Sequence, residues 1–141
     1  MSSQERLTDI RKTLVINAPI EKVWKAVATS EGIAGWWMPN TFEPVLGQEF
    51  ILHAGPYGDS SCKVTEIDPP NRLSFDWDKD WHVVFELKKV DEEKTEFTLI
   101  HSGWKAEEVT KFGQPHSKIR MVMDSGWEKI VKEALRAYIE G

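Results

Sequence analysis

A chain of 141 residues with 40% hydrophobic and 29% charged side chains has the length and make-up of one globular domain, which excludes a disordered polymer. Its net charge is −5, with 18 basic residues scattered among 23 acidic ones, so it lacks the basic stripe that nucleic-acid phosphates demand. No apolar run approaches the roughly 18 residues of a membrane span, which excludes an integral membrane helix.

From the start of the chain, Met1 to Arg6 is polar and has no apolar signal-peptide core, so a cytoplasmic address is expected. Residues Ile10 to Ile16 are rich in β-branched and apolar side chains and predict a first strand. Asn17-Ala18-Pro19 breaks it and opens a helix, because proline has no N–H to leave orphaned in a first turn. Ile20, Val23, Trp24 and Val27 then recur at one helical face, and the helix ends near Thr29. Ser30 to Trp37 predicts a second, very short helix that closes on two tryptophans before Pro39-Asn40.

From residue 41 to about 103 the pattern changes to short alternating segments. Strands are expected at Thr41 to Val45, Glu49 to His53, Ser61 to Ile67, Arg72 to Trp77, Trp81 to Lys89 and Thr95 to Ser102. The breaks are Leu46-Gly47, Gly55 to Gly58, Asp68-Pro69-Pro70-Asn71, Asp78-Lys79-Asp80 and Asp91-Glu92-Glu93, all of them turn chemistry. Connections this short favour antiparallel neighbours. Alternation puts Leu73, Phe75 and Trp77 on one face with Trp81, Val83, Phe85 and Leu87, and with Phe97, Leu99 and His101. Cys62 falls within such a strand, has no second cysteine to pair with, and reads as a small buried hydrophobe kept reduced.

Past Gly113-Gln114-Pro115, residues Ser117 to Ile139 contain no proline and predict a long helix of about six turns. Ile119, Val122, Met123, Trp127, Ile130, Val131, Ala134 and Tyr138 form its apolar stripe at 3.6-residue spacing. Gly126 lies on that stripe, where it costs about 1 kcal/mol of helix propensity relative to Ala. Such a cost points to close packing or to space left for something else. The expected fold class is therefore α+β: a curved antiparallel sheet of about seven strands gripping a long C-terminal helix, in one domain over 1–141. A curled sheet and one helix do not fill each other's concavity completely, so the architecture predicts an internal pocket.

These residues resemble a known family. Val15-Ile16-Asn17-Ala18-Pro19-Ile20-Glu21-Lys22-Val23-Trp24-Lys25-Ala26-Val27 looks like the first strand and helix of the START-like (SRPBCC) superfamily. Gly32-Ile33-Ala34-Gly35-Trp36-Trp37, Asp68 to Phe75 and Gly126-Trp127 are similar to its branch named after the activator of the ninety-kilodalton heat-shock chaperone's ATPase. The resemblance covers about residues 10 to 140 and implies a helix-grip domain with a hydrophobic cavity between sheet and helix. Members include lipid and hormone carriers, pollen allergens, polyketide cyclases and co-chaperone domains. The chain itself is expected to be one free-standing domain, without the separate N-terminal domain that the eukaryotic co-chaperone carries.

The chemistry legible in the chain is thin. His53, His82, His101 and His116 stand far apart and form no H-x-H or H-E-x-x-H spacing, so no metal is expected. Asp76, Asp78 and Asp80 at a hairpin tip lack the ligand spacing of a calcium loop and read as a solvated turn. Nucleophile-elbow, Walker and dinucleotide fingerprints are absent, and no cofactor is expected. His101 is the one titratable group expected inward, as a core histidine bonded to backbone or a polar anchor for a ligand. An enzyme using the pocket would need two convergent titratable groups, which favours binding over a cyclase or hydrolase. Gly103-Trp104-Lys105-Ala106-Glu107-Glu108, with Gly113 to Pro115, reads as a lid or as a plain surface loop.

The unusual count is tryptophan, seven in the chain, which marks either a Trp-rich core or a ligand pocket. Trp36, Trp37, Phe50, Trp77, Phe85, Trp104, Met123 and Trp127 are the expected lining for a small apolar, lipid-like or aromatic ligand, with His101 as polar anchor. A chaperone is the alternative partner, met through the outer surface, and the chain is expected to be a monomer or weak dimer.

Overall fold

The computed structural model describes residues 9–53, 59–77, 81–104 and 116–140, with 116–119 by backbone alone. The expected turns over 55–58 and 78–80, the lid segment after Trp104 and the side chains of His116 and Ile119 lie outside the described residues. In chain order the elements are β1 (Ile10–Ile16), α1 (Ile20–Val27), α2 (Ser30–Trp36), β2 (Glu49–His53), β3 (Asp59–Asp68), β4 (Arg72–Trp77), β5 (Trp81–Asp91) and β6 (Lys94–Ser102). They end with α3 (His116–Lys129), a π-helical segment (Ile130–Leu135) and α4 (Arg136–Glu140), which follow one another without a break. The strands make one antiparallel sheet in the order β1-β6-β5-β4-β3-β2, so the helix-grip expectation holds.

Six strands form where about seven were expected, because Thr41 to Val45 does not extend the sheet. Only Asn40 bridges to Leu52. The Thr41 N–H does reach the Ile51 carbonyl at 3.0 Å, but the Ile51 N–H turns to the Thr41 hydroxyl at 2.8 Å. The Asn40 side chain takes the Phe42 N–H at 3.0 Å, and Pro44 has no N–H to offer. Local side-chain bonds have replaced the ladder, although Phe42 is still buried against Phe50.

Register builds the inward face in rows. Phe50, Cys62, Trp77 and Trp81 are neighbours across β2, β3, β4 and β5. Val64, Phe75, Val83, His101 and Ile10 form the next row, and Leu73, Phe85, Leu99 and Lys12 the one after. All these side chains except Lys12 are buried, as period-two alternation predicts.

The C-terminal helix keeps most of its expected face, with Met123, Trp127, Ile130, Val131 and Ala134 in or against the core, but departs from it at two positions. Its buried positions are Trp127, Val131, Leu135 and Ile139, four residues apart, while Val122 and Tyr138 are exposed. An α-helix turns in 3.6 residues, so a spacing of four drifts around its axis. The wider π turn over Ile130–Leu135 takes up that drift and returns Leu135 and Ile139 to the core. The Tyr138 ring lies instead over Gly35, where any Cβ would collide with it. Gly32 serves a second close approach: a Cβ there would sit 2.6 Å from the Lys25 carbonyl of α1.

Polar bonds fasten this helix to the edge strand. Lys12 Nζ lies 3.1 Å from Asp124 Oδ1 and 3.0 Å from Glu128 Oε2. Arg136 donates to the Val15 carbonyl at 2.9 Å, and Glu140 accepts the Asn17 N–H at 2.8 Å. Burial opposes the charge on Lys12, yet the hydrogen bonds and charges of Glu128 and Asp124 hold its pKa above the usual value. Hydrogen bonds from Lys132 and Lys12 hold the Glu128 carboxyl below its own.

Candidate functional site

The short helix α2 delivers the two tryptophans that face the helix and sheet together. Thr29 caps it, its hydroxyl accepting the Gly32 N–H at 3.0 Å and donating to the Lys25 carbonyl at 2.7 Å. With Gly32 pressed onto α1, the end of α2 is fixed, and Trp36 and Trp37 stack with centroids 5.8 Å apart. Trp36 is buried and donates to the Ala26 carbonyl at 2.8 Å, so it belongs to the core. Trp37 is only half-buried. Its ring meets Trp127 at 4.8 Å, Trp77 at 5.4 Å, Phe75 at 6.3 Å and Phe85 at 6.4 Å.

A second aromatic group adjoins the first through Trp77. The Trp77 ring stacks on His101 at 5.3 Å and meets Trp81 edge-on at 5.1 Å. Trp104 packs 4.6 Å from His101 and 4.9 Å from Trp81. His101 is 0% exposed and its Nδ1 lies 2.9 Å from Trp127 Nε1. An indole N–H can only donate, so Nδ1 accepts, and the imidazole is neutral with its proton on Nε2. The histidine thus bonds a tryptophan side chain from the facing helix. Its own carbonyl accepts the Trp104 indole N–H at 3.0 Å.

Ring contacts bring eight of the nine candidate residues together, and Met123 packs against the same core, but they are not equally open. Trp36, Phe50, Trp77, Phe85, His101, Trp104 and Trp127 are buried, whereas Trp37 and Met123 keep part of their surface exposed. Phe50 touches the group through Phe75 at 5.3 Å. Trp81 and Phe75 complete the cluster; alternation had placed both inward, although neither was among the expected lining residues. Gly126, next to Trp127, is half-buried, and a Cβ there would meet no atom of the described residues within 4 Å. Of its two expected roles, close packing and spare room, the geometry gives room.

The other histidines among the described residues lie elsewhere. His53 pairs with Asp59 and His82 with Asp76, each at 2.9 Å and each exposed. Arg72 bridges Glu66 at 2.7 Å and also pairs with Glu86 on the solvent side. Among the described residues no three His, Cys, Asp or Glu side chains gather in a metal-binding group, and no helix is long and apolar enough to cross a membrane. Cys62 is buried and makes no disulfide.

Comparison with known proteins agrees with this architecture. The model of the family described as activator of Hsp90 ATPase homolog 1-like protein matches residues 17–140. The solution structure of a Bacillus halodurans protein is 45% identical, superposes with a TM-score of 0.85, and shares 95% of this chain and 98% of that one. A Mesorhizobium loti protein is 22% identical with a TM-score of 0.79, over 94% of this chain and 97% of that one. The Aha1 dimer from Colwellia psychrerythraea is 20% identical with a TM-score of 0.74, over 94% and 97%. The last two show likeness of fold alone. No curated protein matches the chain.

Proposed function

This chain belongs to the activator of Hsp90 ATPase homolog 1-like family, and we propose that it binds a small, mostly apolar ligand against the aromatic cluster between sheet and C-terminal helix. The observation that carries this reading is the half-buried Trp37, whose ring is continuous with Trp77 and Trp127. Aromatic surface left partly open at the meeting of a helix and a sheet is what a small apolar molecule needs. The buried members of the set hold the core in shape, and Trp37 and Met123 offer the contact surface. With one buried imidazole, one buried thiol at Cys62 and no buried carboxylate among the described residues, the cluster suits binding better than acid–base chemistry. The reading takes the protein to act in the cytoplasm, as one domain, with Cys62 reduced.

Native mass spectrometry of freshly purified protein, before and after soaking with polycyclic aromatic compounds, tests the proposal. A one-to-one adduct in the wild type that is lost in Gly126→Leu supports it. Bare chain in every sample refutes it.

A second reading, an interaction module for a chaperone, draws on the family description and on Met121 and Val122, which lie exposed side by side on α3. Met121→Lys with Val122→Lys removes chaperone binding on that reading and leaves ligand binding intact on the first.

A further inference from the structure

We infer that the ligand of this cluster carries an uncharged hydrogen-bond acceptor, a carbonyl-type oxygen, received by the indole N–H of Trp77. The inference rests on the binding role proposed above and specifies the chemistry of the molecule bound.

Three indole N–H groups of the cluster have named acceptors. Trp36 donates to the Ala26 carbonyl, Trp104 to the His101 carbonyl and Trp127 to His101 Nδ1. Trp77 is 4% exposed, and its Nε1 is buried with no acceptor among the described residues. The ring cannot swing out to find water. His101 stacks on it at 5.3 Å, and Trp37 and Trp81 close on it edge-on at 5.4 and 5.1 Å. Folded proteins leave few buried donors unbonded, because each keeps the cost of its lost hydration. A donor held rigidly inside this aromatic group with no acceptor among the described residues is therefore a reading head for an acceptor brought by the ligand. It also adjoins Trp37, the ring that is still partly open.

The acceptor is neutral for an electrostatic reason. The buried polar side chains among the described residues are Ser60, Ser74, Thr95, Thr98 and His101. None is a cation, since His101 accepts from Trp127 at Nδ1. A carboxylate moved into this surround would lose its hydration against a single neutral N–H, a far larger loss than one bond returns. A pure hydrocarbon would leave the donor orphaned. The favoured class is thus an aromatic or polycyclic molecule with one ketone, aldehyde, ester or lactone oxygen.

Three probes of matched shape separate the cases: 2-acetylnaphthalene, 2-ethylnaphthalene and 2-naphthoate, titrated calorimetrically into wild type and Trp77→Phe. In wild type the acetyl compound should bind about three- to tenfold tighter than the ethyl compound, with the naphthoate weakest. In Trp77→Phe the acetyl and ethyl compounds should bind alike. Nitrogen–proton NMR of the wild type gives a readout that needs no variant. One indole N–H resonance should move downfield with 2-acetylnaphthalene and stay in place with 2-ethylnaphthalene. Equal affinities without that shift, an acetyl preference that survives Trp77→Phe, or tightest binding of the naphthoate would each overturn the inference while leaving the binding role standing. Failure of all three probes to bind would overturn both.

Discussion

The hydrogen bond between Trp127 and His101 joins the C-terminal helix to the sheet inside the core, and a double-mutant cycle measures it. Trp127 is 2% exposed and His101 0%, so water cannot replace either partner. Trp127→Phe removes the donor 2.9 Å from Nδ1 and trims the indole to a phenyl ring. The lost bond and the stranded acceptor cost about 1–3 kcal/mol. The missing part of the ring adds about 1–2 kcal/mol at roughly 0.8 kcal/mol per buried CH2-sized group. His101→Phe keeps an aromatic ring in place and strands the Trp127 N–H, again costing about 1–3 kcal/mol. The double variant strands neither atom, so its loss should fall short of the summed single losses by about 1–3 kcal/mol. Urea titration followed by circular dichroism reads the four stabilities. Each kcal/mol should also move the unfolding temperature by roughly 3 °C for a chain of this size. Single losses that add to within about 0.5 kcal/mol would show that the two residues do not act together and would refute the assignment.

Other substitutions test the helix phase, the two kinds of glycine and the edge clasp. Val131→Asp should bury an unpaired carboxylate at a position 0% exposed and cost several kcal/mol in denaturant titration. Val122→Asp, on the exposed side, should change stability by about 0.5 kcal/mol or less. Gly32→Ala should lose about 1–3 kcal/mol through its clash with α1, whereas Gly126→Ala should gain up to about 1 kcal/mol from helix propensity, both by thermal unfolding. Glu128 has its carboxyl pKa lowered by folding, so its contribution is present above the ordinary value of 4.5 and lost as pH falls through the folded-state value. Lys12, raised by folding, contributes below the ordinary value of 10.5 and loses that share as pH rises through its folded-state value. Lys12→Met should therefore flatten both limbs of the stability-versus-pH curve.

The sheet was legible because its signal is local. Leu73, Phe75 and Trp77, and likewise Trp81, Val83, Phe85 and Leu87, alternate cleanly, and all are buried. Thr41 to Val45 looked the same in composition, but Asn40, Thr41 and Pro44 spend the backbone bonds locally, a competition that periodicity does not register. The long helix was legible as a helix, and most of its face with it, since Met123, Trp127, Ile130, Val131 and Ala134 pack into or against the core. A fixed 3.6-residue period assigns Val122 and Tyr138 inward, and only the π turn explains why Leu135 and Ile139 replace them. Among the site residues, alternation alone placed Phe85 and His101, whereas the bond between His101 and Trp127 depends on two segments 26 residues apart and has no sequence signature. Lys12 sits on an inward position of β1 that composition would assign to an apolar side chain. Its partners Asp124 and Glu128 come from the far end of the chain.

Uptake of an apolar molecule by the aromatic cluster is read from the unfolding temperature measured against ligand concentration. A polycyclic ketone that binds only the folded chain should raise that temperature saturably, with stabilisation near about 2.7 kcal/mol at a hundredfold excess over Kd. Tryptophan fluorescence should change over the same concentration range as Trp37, Trp77 and Trp127 meet the ligand, and Gly126→Leu should fold yet lose both responses. An unfolding temperature and a fluorescence spectrum that stay constant across a broad panel of such compounds, in wild type as in Gly126→Leu, would contradict it and leave a packed tryptophan core.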